Sequence, residues 1–351
     1  MVDGESGRDE KKRGRKASFL RLNGRYGFAV GVSVKSREIV LNVADFAGEP
    51  LLRLSAPAGR GREDTIRGMC RMIEDVLRSG DQESRGRPLG IGVSFPGLVD
   101  AATGVVLFSP VMPDWEEVQL RAILKERWDV DVSVDDSVRC MTLAEKWKGA
   151  CREIPTFVYV YVGDGVGASI FLDNRLFRGW NGISGEMGHI MIKEDGPPCR
   201  CGNRGCLEAL ASSRAILDHV GSRLSEQVIT SLKAVYERRH AIELFDIHRE
   251  AQRGDKFANI VISDAGEYIG KGIATVVNVL DPGTVILGGE VVESFGEILW
   301  EEIERTVRLM AIPTIANRTT MKRSALGADS AALGAAVLVI EKHLGSGIAA
   351  I

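Results

Sequence analysis

Three cysteines fall within eight residues, Cys199-Arg200-Cys201-Gly202-Asn203-Arg204-Gly205-Cys206, and no other feature of the sequence restricts the fold as much. Glycines inside the run supply the tight turns that aim the three sulfurs at one point. His189 stands ten residues upstream. Three cysteines and one histidine form a standard tetrahedral set for structural zinc. The spacing therefore predicts one structural Zn2+ held by His189, Cys199, Cys201 and Cys206. The alternative is three unrelated reduced thiols, and such a cluster in an exposed glycine-rich loop is a poor packing choice. Cys70, Cys140 and Cys151 stand apart and read as core or surface thiols. Six cysteines in 351 residues are too few for a disulfide scaffold, which points to a reducing, cytoplasmic compartment.

Charge excludes a second class of function. Lys and Arg number 45 against 48 Asp and Glu, a net charge of −3, so no basic field covers the whole surface. No apolar run reaches the ~18 residues of a membrane span. The N-terminal residues lack the apolar stretch of a secretory signal.

Along the chain, residues 1–18 read as an unstructured tail or linker with a basic run from Lys11 to Lys16, and order is expected from about Phe19. Runs at 26–34, 39–45 and 51–55 read as a three-stranded meander. A helix is expected over 63–78, with Ile66, Met69, Cys70, Ile73, Val76 and Leu77 on one face. A strand at 89–95, a helix at 118–128, a strand at 130–134 and a helix at 138–148 follow. The pattern then restarts, with strands at 157–162 and 168–172 around Gly163-Asp164-Gly165-Val166-Gly167 and a turn at Asp173-Asn174. Residues 208–280 read as mostly helical, 284–287 as a strand and 331–342 as a small-residue helix. A meander plus alternating helices and strands, occurring twice, implies two α/β lobes with a cleft between them.

The run Gly182-Ile183-Ser184-Gly185-Glu186-Met187-Gly188-His189 brings a carboxylate and an imidazole close to the predicted zinc, and Glu208 follows the last cysteine. Carboxylates and histidine are the groups that hydrogen-bond vicinal hydroxyls. The plain alternative makes Glu186 and Glu208 surface acids, with Glu208 stabilising a helix N-terminus.

Glu186-Met187-Gly188-His189 together with the C-x-C-G-x-x-G-C-x-E run at 199–208 resembles the paired signature of the ROK family of repressors, open reading frames and sugar kinases. The resemblance extends over 19–342 and takes in Gly92–Asp100, Val134–Glu145, Tyr161–Gly167, Asp281–Gly289 and Ala331–Ala336. It implies two actin-like, ribonuclease-H-like lobes, the first at 19–137 completed by helix 331–342, the second at 138–330 with a zinc loop at 189–206. It also implies a sugar contacted by Glu186, His189 and Glu208, and a homodimer or homotetramer.

Kinases of the family open with an Asp-x-Gly-Gly-Thr type loop, which here reads Gly31-Val32-Ser33-Val34-Lys35-Ser36-Arg37. A backbone phosphate cradle needs the missing glycines. The second phosphate loop, Gly-Thr-Gly in the family, is Gly163-Asp164-Gly165, and an added carboxylate repels a triphosphate. The catalytic aspartate position falls on Ser137, which has no basicity to accept a proton at neutral pH. Val111 replaces a family asparagine in Pro110-Val111-Met112-Pro113-Asp114-Trp115.

These departures favour a non-catalytic, sugar-sensing regulator body that binds a hexose or amino sugar. The alternative is a glucokinase-like hexose or N-acetylhexosamine kinase using ATP and Mg2+, with Asp136 as an unusual base. A third reading is a zinc-stabilised interaction protein, against which Glu186, His189 and Glu208 argue. Residues 13–23 resemble the linker that follows a helix-turn-helix in repressors of the family. Twelve residues precede it, fewer than such a domain needs, so DNA contact would rest on the basic run alone, and a solvated tail is the plainer reading.

Overall fold

The structure, a computed structural model, describes residues 2–5, 19–78, 86–226, 228–327 and 330–345. The chain divides into two compact units, Met1–Arg152 with Asp329–Ile351, and Glu153–Ala328.

In the first unit, β1 (Val2–Glu5) pairs antiparallel with β2 (Phe19–Leu22). The sequence reading placed Val2–Glu5 in an unstructured tail; the pairing to 19–22 makes it a strand, and 6–18 lie outside the described residues. Next come β3 (Gly27–Val34), β4 (Glu38–Asp45) and β5 (Pro50–Pro57), the expected meander. They are followed by α1 (Arg62–Arg78), β6 (Arg87–Phe95), β7 (Leu98–Asp100), β8 (Val105–Phe108), α2 (Leu120–Lys125), β9 (Asp131–Asp136) and α3 (Ser137–Trp147). The main sheet has the order β5-β4-β3-β6-β9, with β6 parallel to β3 and β9 parallel to β6. β3 is buried along its whole length, as the near-continuous apolar run of a central strand requires. On α1 the expected stripe is the inner face: Met69, Cys70, Ile73 and Val76 are buried. α2 is shorter than the 118–128 expected, because Val118 instead bridges to Val106.

The closing helix, Ser330–Leu344, packs on this sheet and on α3 through backbone contact. A Cβ on Gly92 would lie 1.8 Å from the Ala335 carbonyl oxygen, and one on Gly334 would lie 1.7 Å from that of Cys140. The run Ala331-Ala332-Leu333-Gly334-Ala335-Ala336 is small for this reason. The same contact binds α3 into the first unit. The boundary falls after Arg152, not at 137/138 as the sequence reading had it.

The second unit repeats the plan. β10 (Phe157–Val162), β11 (Val166–Leu172) and β12 (Arg175–Phe177) form a meander. Asp173 and Asn174 turn it with φ of 49° and 61°, the double left-handed geometry of a type I′ hairpin. Helices α4 (Leu207–Ala211), α5 (Ser213–Ser225), α6 (Leu232–Arg239), α7 (Leu244–Gln252) and α8 (Lys256–Leu280) precede β13 (Thr284–Gly288), and α9 (Glu290–Met310) precedes β14 (Thr320–Arg323). The order β12-β11-β10-β13-β14 matches the first sheet position for position, with the last two strands parallel. Two α/β units of one topology make the duplicated lobe of the actin-like, ribonuclease-H-like fold. Each has its own apolar core. Among the described residues no helix is long and apolar enough to cross a membrane.

Candidate functional site

The cysteine run folds as a narrow ribbon in the second unit. Leu207 N–H donates to the Ile190 carbonyl (2.9 Å), Ile192 N–H to Gly205 (2.8 Å), Gly205 N–H to Pro197 (2.8 Å) and Cys199 N–H to Asn203 (2.8 Å). Gly205 has φ of 62°, and a Cβ there would lie 1.6 Å from the Lys193 carbonyl oxygen. Only glycine lets the strands approach this closely. His189 ends a single 3-10 turn, Met187–His189, placed just before the ribbon.

The four sequence-predicted ligands converge, with all donor atoms within 4.8 Å of one another. Cys201 Sγ and Cys206 Sγ are 3.7 Å apart, and Cys199 Sγ and His189 Nδ1 are 3.6 Å apart. A tetrahedral zinc, with bonds of about 2.3 Å to sulfur and 2.0 Å to nitrogen, sets sulfurs ~3.8 Å apart and a sulfur–nitrogen pair ~3.5 Å apart. A disulfide would need ~2.05 Å. The donor set and its spacing fit zinc. Burial pushes the Cys206 thiol up to about 12, whereas the Asn203 N–H bonded to Cys201 pulls that exposed thiol down. A cation entering the site would displace the Cys206 proton, so metal uptake and proton release are linked.

Two carboxylates are organised around β11. Glu186 Oε2 lies 3.8 Å from His189 Nε2, so His189 presents one nitrogen to the cysteines and the other toward this acid. A carboxylate on that side of a metal-binding imidazole orients the ring. Gly185 and Gly188 seat this segment on β11: a Cβ on either would lie 2.0 Å from the Ala168 or Val166 carbonyl oxygen. Glu208 is half-buried on α4, and its Oε2 accepts a hydrogen bond from Val166 N–H at 3.0 Å. It therefore fixes the 163–166 loop, a role that sequence reasoning missed, since the two residues are 42 apart in the chain. A cavity of about 560 Å3 opens beside Glu208, Asp164 and the ribbon residues Cys199 and Arg200, with α5 and α8 as its walls. That volume suits a small-molecule ligand. Glu186 and His189 are not among the residues lining it.

The stretches matched to the phosphate loops are tied down by their own contacts. Ser33 is buried on β3 opposite Ser94 of β6, and the chain turns back at once, Lys35 N–H donating to the Glu38 carbonyl at 2.8 Å. Asp164 Oδ1 accepts from Ser213 Oγ at 3.3 Å, and Ser213 N–H donates to the Gly163 carbonyl at 2.8 Å. A carboxylate thus sits at the start of α5.

At the start of α3, Asp136 is the N-cap: its Oδ1 accepts from Val138 N–H (2.8 Å) and Arg139 N–H (3.1 Å). Ser137 is the first helical residue. Asp135 is fully buried and pairs with the equally buried Arg139 guanidinium at 3.1 Å. Val111 packs against the first unit's core, and Trp115 is fully buried on Phe95, ring centroids 4.5 Å apart.

Comparison with known proteins gives a consistent set. The family model described as ROK family matches residues 29–342. The chain is 30% identical over 342 residues to a xylose repressor of Caldicellulosiruptor bescii, covering 97% of this chain and 85% of that protein. It is 33% identical to a glucokinase of Thermotoga maritima, covering 80% of this chain and 87% of that one. A solved ROK family transcriptional regulator, homologous to the Escherichia coli MLC protein, superposes with a TM-score of 0.82 at 29% identity, covering 94% of this chain and 81% of that one.

Proposed function

The chain belongs to the ROK family, and from that premise we propose that it is a sugar-sensing regulator body that binds a hexose or acetylated amino sugar without phosphorylating it. Relatives of both kinds, repressors and glucokinases, are similar to it. The choice between them rests on one observation, the start of α3.

Phosphoryl transfer from ATP to a sugar hydroxyl needs a carboxylate poised to take the hydroxyl proton. Each residue there has another task. Asp135 is buried against Arg139, Asp136 caps the helix, and Ser137 brings only a hydroxyl. The turn after Ser33, which has no glycine pair and closes with Lys35 N–H on the Glu38 carbonyl, and the carboxylate of Asp164, which repels a triphosphate, support the same reading.

Sugar recognition falls to Glu186, His189 and Glu208. Glu186 and His189 present polar atoms beside the metal ribbon, and Glu208 keeps one oxygen for a ligand while the other holds Val166 N–H. Zinc bound by His189, Cys199, Cys201 and Cys206 would have four protein ligands and so a structural task, joining His189 to the ribbon. The basic run Lys11–Lys16 lies outside the described residues and carries no part of this reading.

A thermal-shift panel of D-glucose, N-acetylglucosamine, D-xylose and their phosphates, run beside a coupled ATP assay, tests the proposal. A raised Tm with one sugar class and no turnover is the expected result. ATP-dependent turnover would overturn the regulator reading, and no response to any sugar would overturn the sugar-binding reading.

A further inference from the structure

The cavity beside the metal ribbon has no part in the sugar reading. Of the three proposed sugar contacts only Glu208 lines it. Its walls are the ribbon, α5 and α8, all within the second unit. Leu210, Ile216, Val261 and Ala265 give it an apolar surface. Two rings add to that surface: Tyr268 of α8, and His219 of α5, whose imidazole packs on Phe257 with centroids 6.3 Å apart. A concavity of about 560 Å3, apolar with a few polar groups on its walls, has the ordinary form of a small-molecule site.

Most of its charged groups are already engaged in the chain. Arg214 pairs with Asp218 (3.5 Å), Asp164 accepts from Ser213 Oγ (3.3 Å), Glu208 holds Val166 N–H, and Arg200 also has a partner. The Lys193 ammonium and the Asp264 carboxylate differ: among the described residues neither has a hydrogen bond or an ion pair. Lys193 enters from the ribbon and Asp264 from α8. Partial burial, with Glu267 nearby, holds the Asp264 carboxyl above the usual carboxylate range, while His219 and Lys193 pull it down. The two opposite charges are thus near enough to feel each other and too far apart to pair. Their backbones are set in advance. Lys193 N–H donates to the Gly205 carbonyl (3.2 Å), its own carbonyl accepts from Gly196 N–H (3.0 Å), and Asp264 lies within a 25-residue helix. Groups fixed before binding lose less entropy when a ligand arrives.

We propose that this cavity is a second ligand site, for a small zwitterion with an apolar body, the chemistry of an apolar or aromatic amino acid. The ligand's ammonium sits on Asp264, its carboxylate on Lys193, and its side chain on the apolar wall between the helices and the ribbon. A free sugar has no charge for either group. A simple anion would leave Asp264 unpaired and a simple amine would leave Lys193 unpaired, so each forfeits one charge-assisted bond. A ligand carrying both charges makes both bonds and brings no net charge into the site.

Isothermal titration calorimetry of the whole chain with L-phenylalanine, L-leucine, 3-phenylpropionate and phenethylamine tests this. At least one of the two amino acids should bind, and the two single-charge analogues should bind at least ~10-fold more weakly than L-phenylalanine, the loss of one bond to a charged group. Asp264→Asn should weaken L-phenylalanine at least ~10-fold and leave 3-phenylpropionate, which has no ammonium, unchanged. Lys193→Met should weaken L-phenylalanine equally and leave phenethylamine, which has no carboxylate, unchanged. Neither side chain has a partner in the chain, so both variants should keep the wild-type Tm, and a change in binding reports the ligand contact. Failure of the wild type to bind either amino acid overturns the proposal. So does binding of L-phenylalanine that both substitutions leave as tight as in the wild type.

Discussion

Replacing Asp136 separates a helix cap from a catalytic base. The carboxylate Oδ1 satisfies two of the orphan N–H groups of α3, those of Val138 and Arg139. Removing a capping side chain costs ~0.5–2 kcal/mol. Two bonds at a half-buried site put Asp136→Ala near the upper end, about 2 kcal/mol. Asp136→Asn keeps the acceptor and loses only the charge beside the helix N-terminus, about 0.3–1 kcal/mol. Urea unfolding should therefore rank the wild type, then Asn, then Ala, with unchanged slope. Hydrogen exchange at Val138 and Arg139 should accelerate sharply in Ala and modestly in Asn. Equal losses for the two variants, or an Ala variant within ~0.3 kcal/mol of the wild type, would refute the cap. Under the kinase alternative Asp136→Asn would, beside the same modest loss of stability, abolish ATP-dependent activity.

Elemental analysis should find one zinc per chain, and Cys201→Ser should lower both zinc content and Tm; freshly purified protein without zinc would sink the assignment. Gly205→Ala should have the same effect without touching a ligand, because its Cβ meets the Lys193 carbonyl at a left-handed φ; full zinc retention would show that the ribbon tolerates the change. Glu208→Gln should keep the acceptor for Val166 N–H, whereas Glu208→Ala should free the 163–166 loop, read as faster amide exchange at Val166. Asp255 supplies a pH dependence. Burial alone would raise its pKa, but bonds from the Ala258 and Ser231 N–H groups and the Thr230 and Ser231 hydroxyls hold it below the usual carboxylate range. The folded pKa is thus depressed. Its stabilisation is present above the ordinary aspartate pKa and lost as pH falls through the folded value. Asp255→Asn should flatten stability in that acid window, measured by urea midpoints from pH 5 downward.

The convergence of the four candidate metal ligands was legible in the sequence because their chemistry is local. His189, Cys199, Cys201 and Cys206 lie within eighteen residues, and glycine-bounded turns leave the chain few ways to place them. The apolar face of α1 and the repeated meander were equally legible, since a 3.6-residue and a two-residue period report which side is buried. The role of Asp136 was not. A cap and an outward-pointing carboxylate differ by one residue in where a helix begins, and the packing of α3 under the closing helix decides that. The same packing set the unit boundary: Gly334 meets the Cys140 carbonyl across almost two hundred residues, a contact between backbones that no side-chain pattern announces. Glu208 was marked as a candidate, yet its hold on Val166 N–H exists only because α4 and β11 are brought together in the folded unit.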